Sequence, residues 1–268
     1  MAKILFLGTG NMGGAILQGL LRQDTLKVAE IGVFDPNSLA AAKFKDKNCK
    51  IFAEIEEALT WANTLIICVK PQIFNEISDK WNKILLKSSN NRTIISIMAG
   101  ISIQNLKKSF PKAKVVVRTM PNLPMTIGKG VVSIAQDELD EEVLKDVQNI
   151  FAPVAKTVLM PENMMDAATA LSGSGPAFVF QFIDAMIQGG IKEGLSKEIA
   201  EELCLATIAG STALVVQSDA SPADLSTAVS SPGGTTIYGL HALESGAFKA
   251  TISKAISAAA ERSRFLNK

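Results

Sequence analysis

The apolar run Ile4–Leu7 passes directly into GTGNMGG, residues 8–14, so that Gly8, Gly10 and Gly13 stand in a G-x-G-x-x-G spacing. The pattern follows a strand-like run and opens an amphipathic stretch, Met12–Gln23, that has helical periodicity. In that context each glycine has a reason. One permits the tight turn, one lets a pyrophosphate approach bare backbone, and one lets the helix pack closely on the turn, with the helix N-terminus facing the phosphates. Asp35 ends a second apolar run about 20 residues further on, where a carboxylate accepts hydrogen bonds from the adenosine ribose of a dinucleotide. A carboxylate there repels a 2′-phosphate and no arginine follows it closely, which favours NADH over NADPH; Ser38 and Lys43 soften the choice.

The rest of the first half agrees with this start. The runs KILFL, EIGVFD, TLIICVK, RTIISIMAG and KVVVRTM alternate with helical stretches such as Gln72–Leu86, which predicts a mostly parallel sheet covered on both faces. Lys70 and Pro71 end the third of these runs, at the carboxyl edge where ligands lie in such sheets, although a solvated loop lysine is the alternative for Lys70. Residues 96–100 (SIMAG) and 120–124 (MPNLP) end the next two runs and are expected to complete a nicotinamide pocket. Beyond about Gln136 the pattern changes. Apart from AKTVLM, residues 155–160, no strand is evident, whereas 166–170, 176–193, 197–217 and 247–265 read as helices. The expected fold is therefore α/β, a Rossmann-like dinucleotide-binding domain over 1–160 followed by an all-helical domain over 161–268.

One helix of that second domain is unusual. Residues 203–216, LCLATIAGSTALVV, are apolar or small on every side and uncharged. A helix that is apolar all round must be buried, and about a hundred residues of helical chain offer little interior, which implies a subunit interface. No uninterrupted apolar run approaches a membrane span, and Met1 leads into the first strand without a basic leader, so the expectation is a cytoplasmic protein with no membrane association. Cys49, Cys68 and Cys204 are far apart and lack metal-ligand spacing, which indicates neither a disulfide framework nor a metal site. The formal net charge is +1, with lysines scattered rather than gathered on one face, so the electrostatics call for no nucleic acid. A small-molecule substrate remains.

A nicotinamide enzyme needs a substrate centre beside the ring and a proton source or sink. The single histidine, His241, falls one and a half turns into a predicted helix, where a surface or interface residue is commoner than a catalyst. No lysine lies between Lys156 and Lys192, where a β-hydroxyacid dehydrogenase would carry its catalytic lysine. Imine reduction asks for less, because the nitrogen is basic enough to be protonated before hydride arrives; a positioned hydroxyl suffices. The stretch SSPGGTT, residues 230–236, offers one. Ser231 can cap a helix, Pro232 fits its first position, and Gly233 and Gly234 leave backbone N–H groups bare for a carboxylate, with Thr235 and Thr236 beside it. The alternative is a plain capped helix after a glycine turn. In ALSGSGPAF, residues 170–178, glycines break one helix and begin another; they mark either a turn or a close approach of a flat ring.

Taken together, LSGSGPAF (171–178), SPGGTTIYGLHALESGAF (231–248), FLGTGNMGGAI, CVKP (68–71) and RTMPNLP (118–124) resemble the pyrroline-5-carboxylate reductase family, in order and across essentially the whole chain. The resemblance implies reduction of 1-pyrroline-5-carboxylate to L-proline with NADH or NADPH, the last step of proline synthesis. It further implies a homodimer interlocked through the helical domain, often assembled into a ring of five dimers. Carried over by motif, cofactor contacts fall on Thr9, Asn11, Met12, Val69, Lys70 and Ala99, beside Gly8, Gly10, Asp35 and Pro71. The carboxylate cradle falls on Ser231, Gly233, Gly234 and Thr235, and the hydroxyl facing the ring nitrogen on Thr236. Glu162 matches a family acid near the substrate, or is simply a first-turn helix carboxylate. The chain departs from the family at Ser221, Ser226 and Thr227, where His, Lys and Asp are usual, and at Ile55, where many members carry an asparagine near the ribose. Two alternatives remain at this point: a related reductase of another small cyclic imine or keto acid, and a dinucleotide-binding sensor without activity.

Overall fold

A computed structural model describes residues 2–22, 29–45, 49–88, 92–137 and 139–266. They divide into two compact units, one of residues 1–174 with 258–268 and one of 175–257.

The first unit is built on an eight-stranded sheet of order β3-β2-β1-β4-β5-β6-β7-β8. Its elements in chain order are β1 Ala2–Leu7, α1 Asn11–Arg22, β2 Ala29–Phe34, α2 Ser38–Ala42, β3 Cys49–Ile51, α3 Ile55–Trp61, β4 Thr64–Ile67, α4 Pro71–Leu86, β5 Thr93–Ser96, α5 Ile103–Ser109, β6 Val115–Pro121, β7 Gly130–Ala135, α6 Glu141–Phe151, β8 Ala155–Met160 and α7 Met165–Ala168. Strands β1 to β6 are parallel, in the doubly wound order of dinucleotide-binding sheets. Strand β6 changes partner midway. Val115–Arg118 pair with β5, whereas Thr119–Pro121 pair antiparallel with β7.

Burial on both faces explains why the strands read as continuous apolar runs. Ile4 and Phe6 join Ile16, Leu17 and Leu20 of α1 on one face, while Leu5 and Leu7 join Leu59 of α3 with Phe74 and Trp81 of α4 on the other. Sequence reading found five of these strands and β8. It passed over β3, whose three residues are too short for a periodic signal, and β7 and α6, which it left inside longer stretches. Helix α1 was predicted over Met12–Gln23; Gln23 lies outside the described residues.

The segment expected to break at residues 173–176 does not break. After α7 the chain continues as a π-helical turn, Thr169–Gly173, closed by Ser174 N–H donating to the Thr169 carbonyl at 2.9 Å, and runs on into α8, Gly175–Lys192. Pro176 has no N–H for the Ser172 carbonyl one turn back. That carbonyl instead accepts from Asn122 Nδ2 at 3.1 Å, and Asn122 Oδ1 accepts from Val131 N–H at 2.8 Å. A side chain from the end of β6 thus compensates for the proline, and the second helix-breaking signal, Gly173, is absorbed where a Cβ would lie 2.7 Å from Met120 Cε.

The second unit is helical: α8, α9 Lys197–Gln217, α10 Pro222–Ala228, α11 Thr235–Ser245 and α12 Phe248–Leu266, whose last turns belong to the first unit. Of α9 only Ala200 and Cys204 are buried. Leu203, Leu205 and Leu214 are more than half exposed and Val216 is 79% exposed. Residues 162–192 and 197–217 form helices long and apolar enough, by length and composition, to cross a membrane, and little of either is buried within the chain.

Candidate active site

Each glycine of the first turn has a distinct place. Gly8 has φ +98°, and a Cβ on it would lie 3.2 Å from the Cys68 carbonyl, so the turn demands glycine both conformationally and sterically. A Cβ on Gly13 would lie 2.5 Å from the Gly8 carbonyl, which makes Gly13 the residue that lets α1 pack on the turn. A Cβ on Gly10 would meet nothing within 4 Å. Gly10 therefore faces open space at the start of α1, where a pyrophosphate would lie against backbone N–H groups.

Asp35 sits beside this turn and does more than sequence reading assigned to it. Its Oδ2 accepts from Thr9 N–H at 2.7 Å and Thr9 Oγ1 at 2.9 Å, and its Oδ1 accepts from Asn37 N–H at 2.9 Å. Two of these bonds hold the glycine turn, and the second acceptor position of Oδ1 remains available to a ribose hydroxyl. A cavity of about 360 Å³ opens here, lined by Gly8, Gly10, Asp35 and Val69 among the expected cofactor residues, by Ile55, whose position was expected near the ribose, and by Ile73, Lys80 and Trp81, which sequence reading did not assign to it. Ile55 thus lies on the cavity wall, and its apolar side chain offers no hydrogen bond there. Cys68 also lines the cavity; burial pushes its thiol well above the usual range, so it adds no negative charge to the cavity wall.

Among the remaining expected cofactor residues, Asn11 and Met12 open α1, Thr9 is buried in the turn, and Lys70 is the exposed N-cap of α4 with Pro71 at its first position. Ala99 and Gly100 form the turn that follows β5. The glycine turn, the helix start, the carboxylate and the cavity together fit a dinucleotide.

The SPGG stretch corrects the expected helix start. Gly234 N–H donates to the Ser231 carbonyl at 3.0 Å, closing a turn with Pro232 and Gly233 at its centre, and Gly233 has φ +69°. Proline followed by a glycine of positive φ completes a tight turn before any helix begins. Helix α11 therefore starts at Thr235 with Gly234 as N-cap and no side-chain cap bond, so Ser231 is not its cap and Pro232 is not its first residue. Ser231 Oγ instead sits over Gly234, where a Cβ would lie 2.3 Å from it, while a Cβ on Gly233 would meet nothing within 4 Å. The result is an uncapped helix N-terminus bearing Thr235 and Thr236, flanked by a glycine open to approach. Those are the elements of a carboxylate site. His241 lies exposed on α11.

At the three positions where the resemblance implies His, Lys and Asp, this chain's residues bond within and around α10. Ser221 is its N-cap in a capping box with Asp224, and Thr227 Oγ1 donates to the Ala223 carbonyl at 3.0 Å. Ser226 supplies its carbonyl to Ser230 Oγ at 2.7 Å.

Glu162 is held in the first unit. Its Oε1 accepts from Ile103 N–H at 2.7 Å and pairs with Arg118 Nη1 at 3.2 Å. Arg118, only 4% exposed, also reaches Asp166 Oδ1 with Nη2 at 3.3 Å, and Ser263 Oγ donates to the same oxygen at 2.7 Å. Sequence reading missed Arg118, Asp166, Ser263 and Asn122. Only the position of Arg118 inside an otherwise apolar strand run signals that a buried charge needs partners.

A family profile described as pyrroline-5-carboxylate reductase dimerisation matches residues 162–266, and one described as NADP oxidoreductase, coenzyme F420-dependent, matches residues 3–100. A pyrroline-5-carboxylate reductase of Synechocystis is 37% identical over 98% of this chain and 97% of its own, and one of Methanosarcina acetivorans is 34% identical over 99% and 98%. The crystal structure of pyrroline carboxylate reductase from Plasmodium falciparum with NADP bound superposes with a TM-score of 0.87 at 30% identity, covering 100% of this chain and 98% of that one.

Proposed function

The chain belongs to the pyrroline-5-carboxylate reductase family, and from that membership we propose that it reduces 1-pyrroline-5-carboxylate to L-proline with NADH or NADPH, the last step of proline synthesis. The observation that carries the reading is the pairing, in one chain, of a complete dinucleotide turn with an uncapped, glycine-flanked helix N-terminus.

In this reading residues 1–160 are the cofactor domain and 161–268 the substrate and dimerisation domain. The backbone of Gly8–Met12 holds the pyrophosphate, Asp35 the ribose, and Val69, Lys70, Pro71 and Ala99 the remaining length of the dinucleotide. The nicotinamide supplies hydride to the imine carbon. The turn of Ser231, Gly233 and Gly234, with Thr235, holds the substrate carboxylate at the positive end of α11. Thr236 places its hydroxyl beside the ring nitrogen, which carries the proton; Glu162 adds negative charge nearby. Catalysis is mainly orientation, and effective molarities of well-held reactants account for about 7–11 kcal/mol of a barrier. Asp35 disfavours a 2′-phosphate and so favours NADH, a choice that Ser38 and Lys43 soften.

The exposed apolar surface of α8 and α9 is covered by a second copy of the chain, giving a homodimer that can assemble as a pentamer of dimers. That pairing also explains two long apolar helices in a cytoplasmic protein with no membrane role. The test is loss of NADH absorbance on adding 1-pyrroline-5-carboxylate, with NADPH and a panel of cyclic imines and keto acids in parallel. Oxidation that is fastest with 1-pyrroline-5-carboxylate supports the reading. Faster turnover of another cyclic imine or keto acid overturns the substrate assignment, and NADH binding without any turnover overturns the enzyme.

A further inference from the structure

Two contacts of the last turns of α12 converge near the carboxyl ends of β5 and the parallel part of β6. In the first, Ser263, only 4% exposed, donates to Asp166 Oδ1, the oxygen that also takes Arg118 Nη2. Arg118 in turn pairs with Glu162, whose Oε1 is fixed by Ile103 N–H. A buried guanidinium between two carboxylates is well placed only while its partners stay put, because an unpaired charge there is costly. In the second contact, Leu266 lies over Gly100. Gly100 has φ +72°, and a Cβ on it would lie 2.8 Å from Leu266 Cβ and 3.4 Å from its carbonyl oxygen.

These contacts meet because Arg118 on β6 is in register with Ser96 on β5, the strand that runs into the Ala99–Gly100 turn. Thr119 Oγ1 ties the same strands by donating to the Ser96 carbonyl at 2.9 Å. The cavity on the other side, at β1, β2 and β4, draws none of its lining from α12.

We propose that Ser263 and Leu266 are positioning residues for the nicotinamide end of the cofactor site. Leu266 fixes the Ala99–Gly100 turn, and Ser263, through Asp166, Arg118 and Glu162, fixes the backbone N–H of Ile103, three residues beyond that turn. This rests on the assignment of Ala99 to the nicotinamide made above. Its consequence is selective: loosening the end of α12 weakens what touches the nicotinamide and leaves the adenosine and pyrophosphate contacts intact.

ADP-ribose, which carries the adenosine half and pyrophosphate without nicotinamide, separates the two. Calorimetric titration of the full-length wild type, Ser263→Ala and Gly100→Ala with NADH and with ADP-ribose gives the comparison. The expected result is a weaker NADH affinity, about fivefold for Ser263→Ala and about tenfold for Gly100→Ala, with ADP-ribose unchanged within about twofold. Equal weakening of both ligands, or no change in either, overturns the proposal; Ser263→Ala, which removes one hydroxyl, keeps the test open if Gly100→Ala does not fold. A wild type that binds ADP-ribose as tightly as NADH overturns the underlying assignment of Ala99, a different failure visible before any variant is made.

Discussion

The two units treat apolar residues in opposite ways. In the first, Leu5, Leu7, Ile16, Leu59 and Ile66 are fully buried, and the helices that flank the sheet supply their partners. In the second, α9 buries two residues and exposes a succession of leucines and valines. The same contrast holds at the ligand sites. The glycine turn of the first unit is anchored by Thr9 and Asp35, whereas the N-terminus of α11 has no side-chain cap. One half of the chain is finished by its own sequence, and in the proposed reading the other is finished by a ligand and a second copy.

The largest expected effect tests the finished half. Gly10→Val puts its Cβ into open space where the pyrophosphate is proposed to lie, so NADH affinity should fall by more than about 100-fold while Tm stays within about 2 °C. Gly13→Val should instead lower Tm, since its side chain meets the Gly8 carbonyl and Cys68. Calorimetry and thermal melts on both variants check the distinction; normal NADH binding by Gly10→Val would remove the cofactor assignment. Next comes Thr236→Ala at the unfinished half, expected to lower kcat about 100-fold with NADH affinity unchanged, as loss of a positioned proton-handling group does. Unchanged turnover would remove the hydroxyl from the reaction.

A smaller effect is expected at the uncovered helix. Leu203→Glu places a charge in a surface that a second copy should bury, and sedimentation should show dissociation to monomer at micromolar concentration, with dimerisation weakened about tenfold to 100-fold. A dimer of undiminished stability would place the interface elsewhere.

The same contrast explains what was legible in the sequence. The dinucleotide turn could be read because its logic is local: spacing, strand before, helix after. The apolar helix at 203–216 could be read as lacking cover because periodicity alone shows that no face of it is polar. What stayed hidden was tertiary. The proline at 176 signals a break, and only Asn122, brought in from the end of β6, lets the helix continue through a π turn. Asp166 and Ser263 look like ordinary helix residues until a buried arginine draws them together. The start of α11 was misplaced because SPGG satisfies both a capped helix and a tight turn, and the positive φ that decides between them is a property of Gly233 in place.

The smallest expected effect sharpens the comparison within the second unit, between neighbouring helices. Helix α10 is closed by its own residues. Ser221 Oγ donates to Asp224 Oδ2 at 2.6 Å, and Ser221 N–H donates to the same oxygen at 3.1 Å. These bonds, the hydroxyl first and the backbone second, hold the Asp224 carboxyl below the usual carboxylate range. A folded-state value below the unfolded one means that the cap contributes fully above the unfolded value and is lost as pH falls through the folded one. Ser221→Ala should therefore lower Tm by about 2 °C at neutral pH. The gap between wild type and variant should stay constant from about pH 8 to pH 5 and narrow below about pH 4 to what the Asp224 N–H bond to Ser221 Oγ, at 3.2 Å, contributes alone. Melts across that range decide it, and a gap that instead widened on acidification would mean that Asp224 is held by something other than Ser221. No counterpart is expected at α11, where no side chain caps Thr235 and Thr236; what should stabilise that helix is a bound carboxylate, seen as a rise in Tm on adding substrate or product.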